Sequence, residues 1–256
     1  MNGAFYIGAV GLESQQRALE VTANNIANLN TPGFKRSEVR FWELIGAPDA
    51  AGAQGSMGGA ISQVSSPVFS QGELRTTNGA MDLAIDGDGF LEVQGADGKP
   101  LLWRGGALSI GADGFLSAAG SGLPLKAMIS VPREATGVAI GRGGEVRAVM
   151  GGVTSDDAVT GQVIGQLEIV RAGAGALTPS AAGGGLYEAA NAADLVSAKP
   201  GDDGAGALVQ GAIEGSNVQL ADQMVTLMLL QRAFAANAQV LQAGDQLMAI
   251  SNGLRR

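Results

Sequence analysis

Two proline-free segments, one at each end of the chain, constrain its fold more than any other feature. In residues 3–29 and again in residues 217–252, mostly apolar positions recur in alternating steps of four and three. This is the spacing of the a and d positions of a coiled-coil heptad. It predicts two long helices, each with one narrow face that needs a partner. The positions are Phe5, Ala9, Leu12, Gln16, Leu19, Ala23 and Ile26, and then Leu220, Met224, Leu227, Gln231, Phe234, Ala238, Leu241, Asp245 and Met248.

Local signals indicate where the first helix ends and the second begins. Pro32 disfavours helical geometry at Thr31, and Gly33 suits a turn. Ser216 is a predicted N-cap, and Gln219 completes a capping box with it. Because isolated amphipathic helices are only marginally stable in water, we expect both to pack on each other, on the middle of the chain, or on neighbouring copies.

The middle of the chain, about residues 36–215, has the pattern of β structure. The chain contains 41 glycines, and only 4% of its residues are aromatic. Short apolar runs are separated by Asp-Gly and Gly-Gly pairs, which predicts hairpins around residues 95–98, 110–116 and 140–146. Residues 86–89 resemble the opening of a calcium loop but lack its later glycine and glutamate, so a β-turn is expected there.

Less patterned stretches separate these runs. We expect a linker at residues 47–60 and exposed loops at residues 151–161 and 173–185. The expected domains are an N-terminal helix with its turn, a linker with an extended segment, a central β domain and a C-terminal helix. Their predicted bounds are 1–35, 36–80, 81–215 and 216–256.

Composition excludes several classes of function. The chain has no cysteine and no histidine, which removes disulfides, thiolate metal sites and imidazole bases. Its net charge of −8, with scattered basic residues, argues against nucleic-acid binding. A glycosidase-type enzyme would need paired carboxylates, but the carboxylates are not grouped and aromatic residues are scarce. We therefore expect no enzyme activity and no cofactor.

Membrane insertion and signal cleavage are not expected either. No stretch reaches about 18 apolar residues without interruption. Residues 1–10 are apolar but lack the basic start of a secretory signal. Export would therefore need a route that cleaves no such signal.

Three groups of residues, in order along the chain, resemble the flagellar rod and hook protein family. The first is ANNIAN at 23–28 followed by TPGFK at 31–35. The second is DLAIDGDGF at 82–90. The third is EGSNV at 214–218 with QRAF at 231–234.

The resemblance implies a fold and a function. The fold would be α+β, with the N- and C-terminal helices pairing as an antiparallel coiled coil and a central all-β domain of short strands and hairpins. The chain would be a structural subunit of the basal-body rod, polymerising into a helical tube that transmits torque and encloses the export channel. Its partners would be itself, neighbouring rod and hook proteins and the export apparatus, and it would span the periplasm.

Alternatives stay open within and beyond this family. Residues 33–36 and 230–234 resemble its distal-rod members, whereas residues 214–217 resemble its proximal-rod members more closely. A hook-type subunit, or another extracellular surface subunit built on a β domain, is the second hypothesis.

The predicted assembly residues combine the seams and the motifs. Asparagine is unusual inside a helix because its side chain competes for backbone hydrogen bonds. We therefore expect Asn24 and Asn25 to bond between subunits or across the helix pair, whereas Asn28 suits a helix end. The full predicted set is Leu12, Leu19, Asn24, Asn25, Ile26, Asn28, Phe34, Asn217, Met224, Leu227, Gln231, Phe234 and Leu241.

Overall fold

The computed structural model describes residues 2–43, 60–95, 98–150, 161–172, 177–180, 185–189, 195–202 and 204–253. In these residues, helix α1 (Asn2–Ala27) precedes seventeen strands and helix α2 (Leu220–Gly253) follows them along the chain, which confirms the α+β class. The strands are β1 (Ser37–Glu43), β2 (Ala60–Pro67), β3 (Leu74–Thr76), β4 (Asp82–Asp86), β5 (Leu91–Gln94), β6 (Pro100–Trp103), β7 (Gly105–Ile110), β8 (Leu116–Ala118), β9 (Ala135–Ile140), β10 (Glu145–Met150), β11 (Gln162–Gln166), β12 (Ile169–Ala172), β13 (Leu177–Pro179), β14 (Leu186–Ala189), β15 (Leu195–Ala198), β16 (Ala207–Gln210) and β17 (Ala212–Glu214).

The chain divides into two compact units. The first unit comprises Met1–Ala27, Ser37–Ser66 and Val218–Arg256, and the second comprises Asn28–Arg36 and Pro67–Asn217. The nine residues before β1, Asn28–Arg36, thus group with the β structure of the second unit. Contacts of Lys35, which is buried, and of Arg36, which is half-buried, hold this segment there.

In the first unit, α1 and α2 pack against each other in antiparallel order. Gly8 and Gly11 of α1 lie against Leu241 and Asn237 of α2. A Cβ atom at Gly8 would lie 2.7 Å from Leu241 Cδ2, so glycine permits the two helices to approach closely. Strands β1 and β2 pair in the same unit.

The face that α1 buries is not the predicted seam. Its buried side chains are small or polar and follow a helical spacing offset from the seam: Ser14, Ala18, Thr22 and Asn25. Of the seam positions, Ala9, Gln16 and Ala23 are exposed, and Leu12, Leu19 and Ile26 are only half-buried. Within one chain, the seam of α1 is thus largely uncovered, and its part in pairing or assembly stays a prediction.

Helix α2 also begins later than predicted. The N–H of Gln223 donates to the Gln219 C=O at 3.1 Å, which opens the helix at Leu220 rather than near Asn217. Ser216 is therefore not its N-cap. By length and composition, the Leu220–Gly244 part of α2 is apolar enough to cross a membrane. Polar residues such as Gln231 and Arg232 interrupt it, so the absence of membrane insertion stays a prediction.

The second unit contains the β core. Its sheets have the strand orders β16-β4-β7-β8, β13-β14-β6-β5, β11-β10-β9, β12-β15 and β17-β3. Leu83, Ile85, Leu91, Val93 and Leu116 are among the fully buried side chains of the larger hydrophobic cluster. Alternation of apolar and polar residues along short strands places these side chains on one face of each sheet.

The three predicted hairpins are confirmed. They are the connections β5–β6, β7–β8 and β9–β10, in which Gln94 pairs with Pro100, Ile110 with Leu116, and Ile140 with Val146. Gly114 and Gly144 have φ values of 83° and 87° in their turns, a backbone conformation that glycine adopts without steric cost.

The structure tests only part of the predicted linker and loops. Residues 47–59 and 151–160 lie outside the described residues, so those predictions remain untested. Within 173–185, however, Leu177–Pro179 forms β13 and pairs with β14. Leu177 is 3% exposed, so the expectation of an exposed loop is wrong there.

Candidate functional site

Asn25 joins three elements of the first unit. Its Oδ1 accepts from the Ser37 N–H at 2.9 Å, and its Nδ2 donates to the Ser37 C=O at 2.9 Å. Nδ2 also donates to Gln223 Oε1 at 3.2 Å. The side chain is 2% exposed. One amide on α1 therefore holds both β1 and α2, which is the across-the-pair arrangement that the sequence suggested as one of two possibilities.

The neighbouring asparagines differ from Asn25. Asn24 is exposed. Asn28 belongs to the turn that follows α1, where its C=O accepts from the Thr31 N–H and its Oδ1 accepts from the Thr31 hydroxyl, both at 3.1 Å. Asn28 thus acts at the helix end, as its position suggested.

Helix α2 presents a large apolar surface. Met224 is 49% and Phe234 39% exposed. Gln231 is also exposed, while Leu227 and Leu241 are half-buried. The structure adds apolar residues that the seam spacing did not include, namely Val225, Met228, Leu229 and Val240, each more than half exposed. They were missed because the heptad pattern selects a single stripe of the helix.

A buried ion cluster lies in the second unit. Glu214 Oε1 contacts Lys35 Nζ and Glu214 Oε2 contacts Arg104 Nε, each at 2.6 Å, and all three side chains are at most 3% exposed. The Gly72 N–H also donates to Oε1 at 2.7 Å. Arg104 further donates to the backbone carbonyls of Gly87 and Gly89. The carboxylate therefore offsets part of the cost of burying two cations.

Burial shifts the titration of two groups here. It lowers the pKa of Lys35 below its usual 10.5, opposed by the hydrogen bond and charge of Glu214. It raises the pKa of Tyr187 to about 12, although the Lys35 N–H, which donates to the hydroxyl at 3.1 Å, acts in the opposite direction. The Tyr187 ring also packs edge-on against Phe69 and Phe90.

Asn217 lies beside this cluster and binds two other segments. Its Oδ1 accepts from the Arg36 N–H at 2.7 Å. Its Nδ2 donates to the Val68 C=O at 2.8 Å and to Ser70 O and Oγ at 3.0 Å. The Asn217 N–H donates to the C=O of Phe34 at 3.3 Å, and Phe34 itself is half-buried.

Residues 33–36, 68–73 and 214–217 thus meet within the second unit, and we call them the junction. Sequence reasoning did not find its ion cluster. Lys35 and Glu214 both lie in the motifs quoted above, but they are 179 positions apart, and nothing in their spacing indicates that they pair.

Comparisons with known proteins identify the family. The profile described as "Flagella basal body rod protein" matches residues 5–35. "Flagellar hook protein FlgE/F/G D1 domain" matches 84–148, and "Flagellar basal body rod FlgEFG protein C-terminal" matches 209–254. The matched residues include Asn25, Lys35, Arg104, Glu214 and Asn217.

Three curated rod proteins match over nearly their whole length. The flagellar basal-body rod protein FlgG of Borreliella burgdorferi is 32% identical, covering 100% of both chains. The FlgG of Agrobacterium fabrum is 34% identical over 96% of this chain and 97% of its own. That of Bacillus subtilis is 34% identical over 99% of both. The hook protein FlgE of Brucella abortus is 39% identical, but over only 41% of this chain. The chain therefore belongs to the family of flagellar basal-body rod proteins.

Proposed function

We propose that the chain is a structural subunit of the flagellar basal-body rod and polymerises with further copies through its α1–α2 pair. The observation that carries the proposal is the exposed apolar surface of α2. Met224, Val225, Met228 and Leu229 are between 49% and 60% exposed, and fully burying one such side chain contributes about 1.5–3 kcal/mol. A second copy is the occupant that fits, because the full-length relatives are themselves rod proteins.

The remaining features of the proposal follow from this role. The polymer is a helical tube that encloses the export channel and transmits torque. Pairing of α1 with α2 as a coiled coil would give each subunit a stiff element facing its neighbours. Rod and hook proteins are the proposed neighbours at the two ends of the polymer. The subunit is exported by the flagellar apparatus without signal cleavage and lies in the basal body across the periplasm. It needs no catalytic activity.

A polymerisation assay tests the proposal. Met228→Glu places a charge in the apolar surface of α2, and we expect it to abolish polymerisation measured by sedimentation and electron microscopy. Because Met228 is 59% exposed, the helical circular dichroism of the monomer should stay unchanged. Gln239→Glu is the matched control, since Gln239 is exposed on the same helix and gains the same charge.

Two outcomes would contradict the proposal. The first is equal polymerisation of the Met228 variant and the wild type. The second is insertion of the wild-type chain into lipid vesicles without polymerisation, since Leu220–Gly244 is long and apolar enough to cross a membrane. The apolar surface would then serve a membrane rather than a second copy.

A further inference from the structure

The junction contains or directly adjoins three of the residues at which the chain passes from one unit to the other. Arg36 ends the segment Asn28–Arg36, Pro67 begins the next segment of the second unit, and Asn217 ends it. Backbone groups beside all three passages are bonded to one another inside the second unit.

The bonds form a closed ring around Asn217. The Arg36 N–H donates to Asn217 Oδ1 at 2.7 Å, and Asn217 Nδ2 donates to the Val68 C=O at 2.8 Å. The Val68 N–H then donates to the Arg36 C=O at 2.8 Å. An asparagine amide closes such a ring because it offers an acceptor and a donor side by side, as a peptide group does.

The ion cluster ties the same three segments a second time. Lys35 Nζ donates to the Ser70 C=O at 2.8 Å and to Glu214 at 2.6 Å, and the Gly72 N–H donates to Glu214. Arg104, at the end of β6, connects Glu214 to the β core. The junction is therefore held by neighbouring contacts of two kinds, one neutral and one ionic.

The residue after Arg36 is held just as firmly within the first unit. Both backbone hydrogen-bonding groups of Ser37 bind Asn25. Arg36 likewise uses both its N–H and its C=O, within the second unit.

We infer that Asn217 is the positioning residue of a mechanical node, which fixes three chain passages to the β core so that force is shared among three backbones. The inference rests on the proposed function, in which the chain is a subunit of a torque-transmitting polymer.

Site-resolved hydrogen exchange and proteolysis of the monomer test the node directly. In Asn217→Ala, we expect amide exchange at Arg36 to rise about tenfold or more, as for the loss of one hydrogen bond. Exchange at Leu83 and Ile85 in the core should not change. Trypsin cleavage after Arg36 should accelerate relative to cleavage after Arg142, which lies exposed in the β9–β10 turn.

Two further variants test which of the hydrogen bonds of Asn217 matter. Asn217→Asp retains the acceptor for the Arg36 N–H but loses the donor to the Val68 and Ser70 carbonyls, so exchange at Arg36 should stay closer to the wild-type rate than in Asn217→Ala. Ser70→Ala removes only one of the three acceptors of Asn217 Nδ2 and should behave like the wild type.

Polymers of the variants then test the mechanical role. Asn217→Ala should give polymers of lower persistence length in electron micrographs, or fail to polymerise although its core amides are unchanged. Unchanged exchange at Arg36, core exchange that rises equally, or polymers of wild-type stiffness would overturn the inference. If the wild-type chain itself does not polymerise, the proposed function fails, whereas the monomer measurements still decide whether Asn217 holds the junction.

Discussion

The Asn25 amide binds both backbone hydrogen-bonding groups of Ser37, accepting from its N–H and donating to its C=O at 2.9 Å each. At the start of β1, the Asn25 amide thus forms the two hydrogen bonds that the backbone of a neighbouring strand would otherwise form. A helix residue is thereby part of the edge of a two-stranded sheet, and its remaining N–H reaches Gln223 on α2.

Replacing Asn25 with alanine should therefore destabilise the first unit by about 1–3 kcal/mol, because it leaves buried backbone groups without a partner. Asn24→Ala is the matched control, since Asn24 is exposed and the same gain in helix propensity applies to both. Denaturant unfolding followed by helical circular dichroism measures the difference. Equal stability of the two variants would contradict the role of Asn25.

Glu214→Gln should destabilise the second unit by about 3–5 kcal/mol, because it leaves Lys35 and Arg104 buried without a counter-charge. The change keeps the shape of the side chain, so lost packing contributes little. Glu134→Gln is the control, since Glu134 is exposed. Unfolding of the β structure in denaturant measures the effect.

A double variant tests whether the uncompensated buried charge causes the loss of stability in Glu214→Gln. Lys35→Met combined with Glu214→Gln removes one of the two uncompensated cations, so it should be more stable than Glu214→Gln alone. If both variants were equally unstable, the buried charge would not be the cause.

The sequence predicted the elements better than their contacts. Heptad spacing located both helices, and glycine-containing turns located three hairpins, because these signals are local. The buried face of α1 was not predicted, since large apolar residues mark a seam whereas the buried residues Ser14, Ala18 and Thr22 are small or polar.

The candidate site shows the same limit. Asn25 and Asn217 were selected from the sequence, one for its unusual place in a helix and both for lying in family motifs. Their partners were not, because Ser37, Arg36 and Val68 contribute backbone groups, which carry no residue-specific signal. Likewise, no local pattern shows that Glu214 binds both Lys35 and Arg104.

Tyr187 should make stability depend on pH above about 10. Its folded pKa is raised from 10 to about 12, so the folded state binds more protons between these values and stability falls as pH rises through them. The loss approaches about 3 kcal/mol, from the two-unit shift. Lys35 acts oppositely, since its lowered pKa makes stability rise with pH below 10.5.

Comparison with Tyr187→Phe isolates the tyrosine, because titration of Lys35 and the other basic groups largely cancels in the difference. The stability of the wild type relative to this variant should fall between pH 10 and 12. Tyrosinate ultraviolet absorbance of Tyr6→Phe, which retains only Tyr187, should show its titration near 12. A titration near 10 would contradict the burial of this hydroxyl.

Gly89 should tolerate no side chain, because two effects act together there. Its φ is 128°, and an added Cβ would lie 2.1 Å from Ile169 Cγ2, while its C=O accepts from Arg104.

Gly122 provides the control, since its φ is also positive, at 67°, but nothing lies within 4 Å of an added Cβ. Gly122→Ala should cost only the backbone strain, about 1–2 kcal/mol. Gly89→Ala should cost clearly more and should also loosen the Arg104–Glu214 contact. Denaturant unfolding would measure the cost, and exchange of the Arg104 Nε–H proton would measure the contact. Equal costs would mean that Ile169 can move aside and that the position of the Gly89 carbonyl does not matter to the ion cluster.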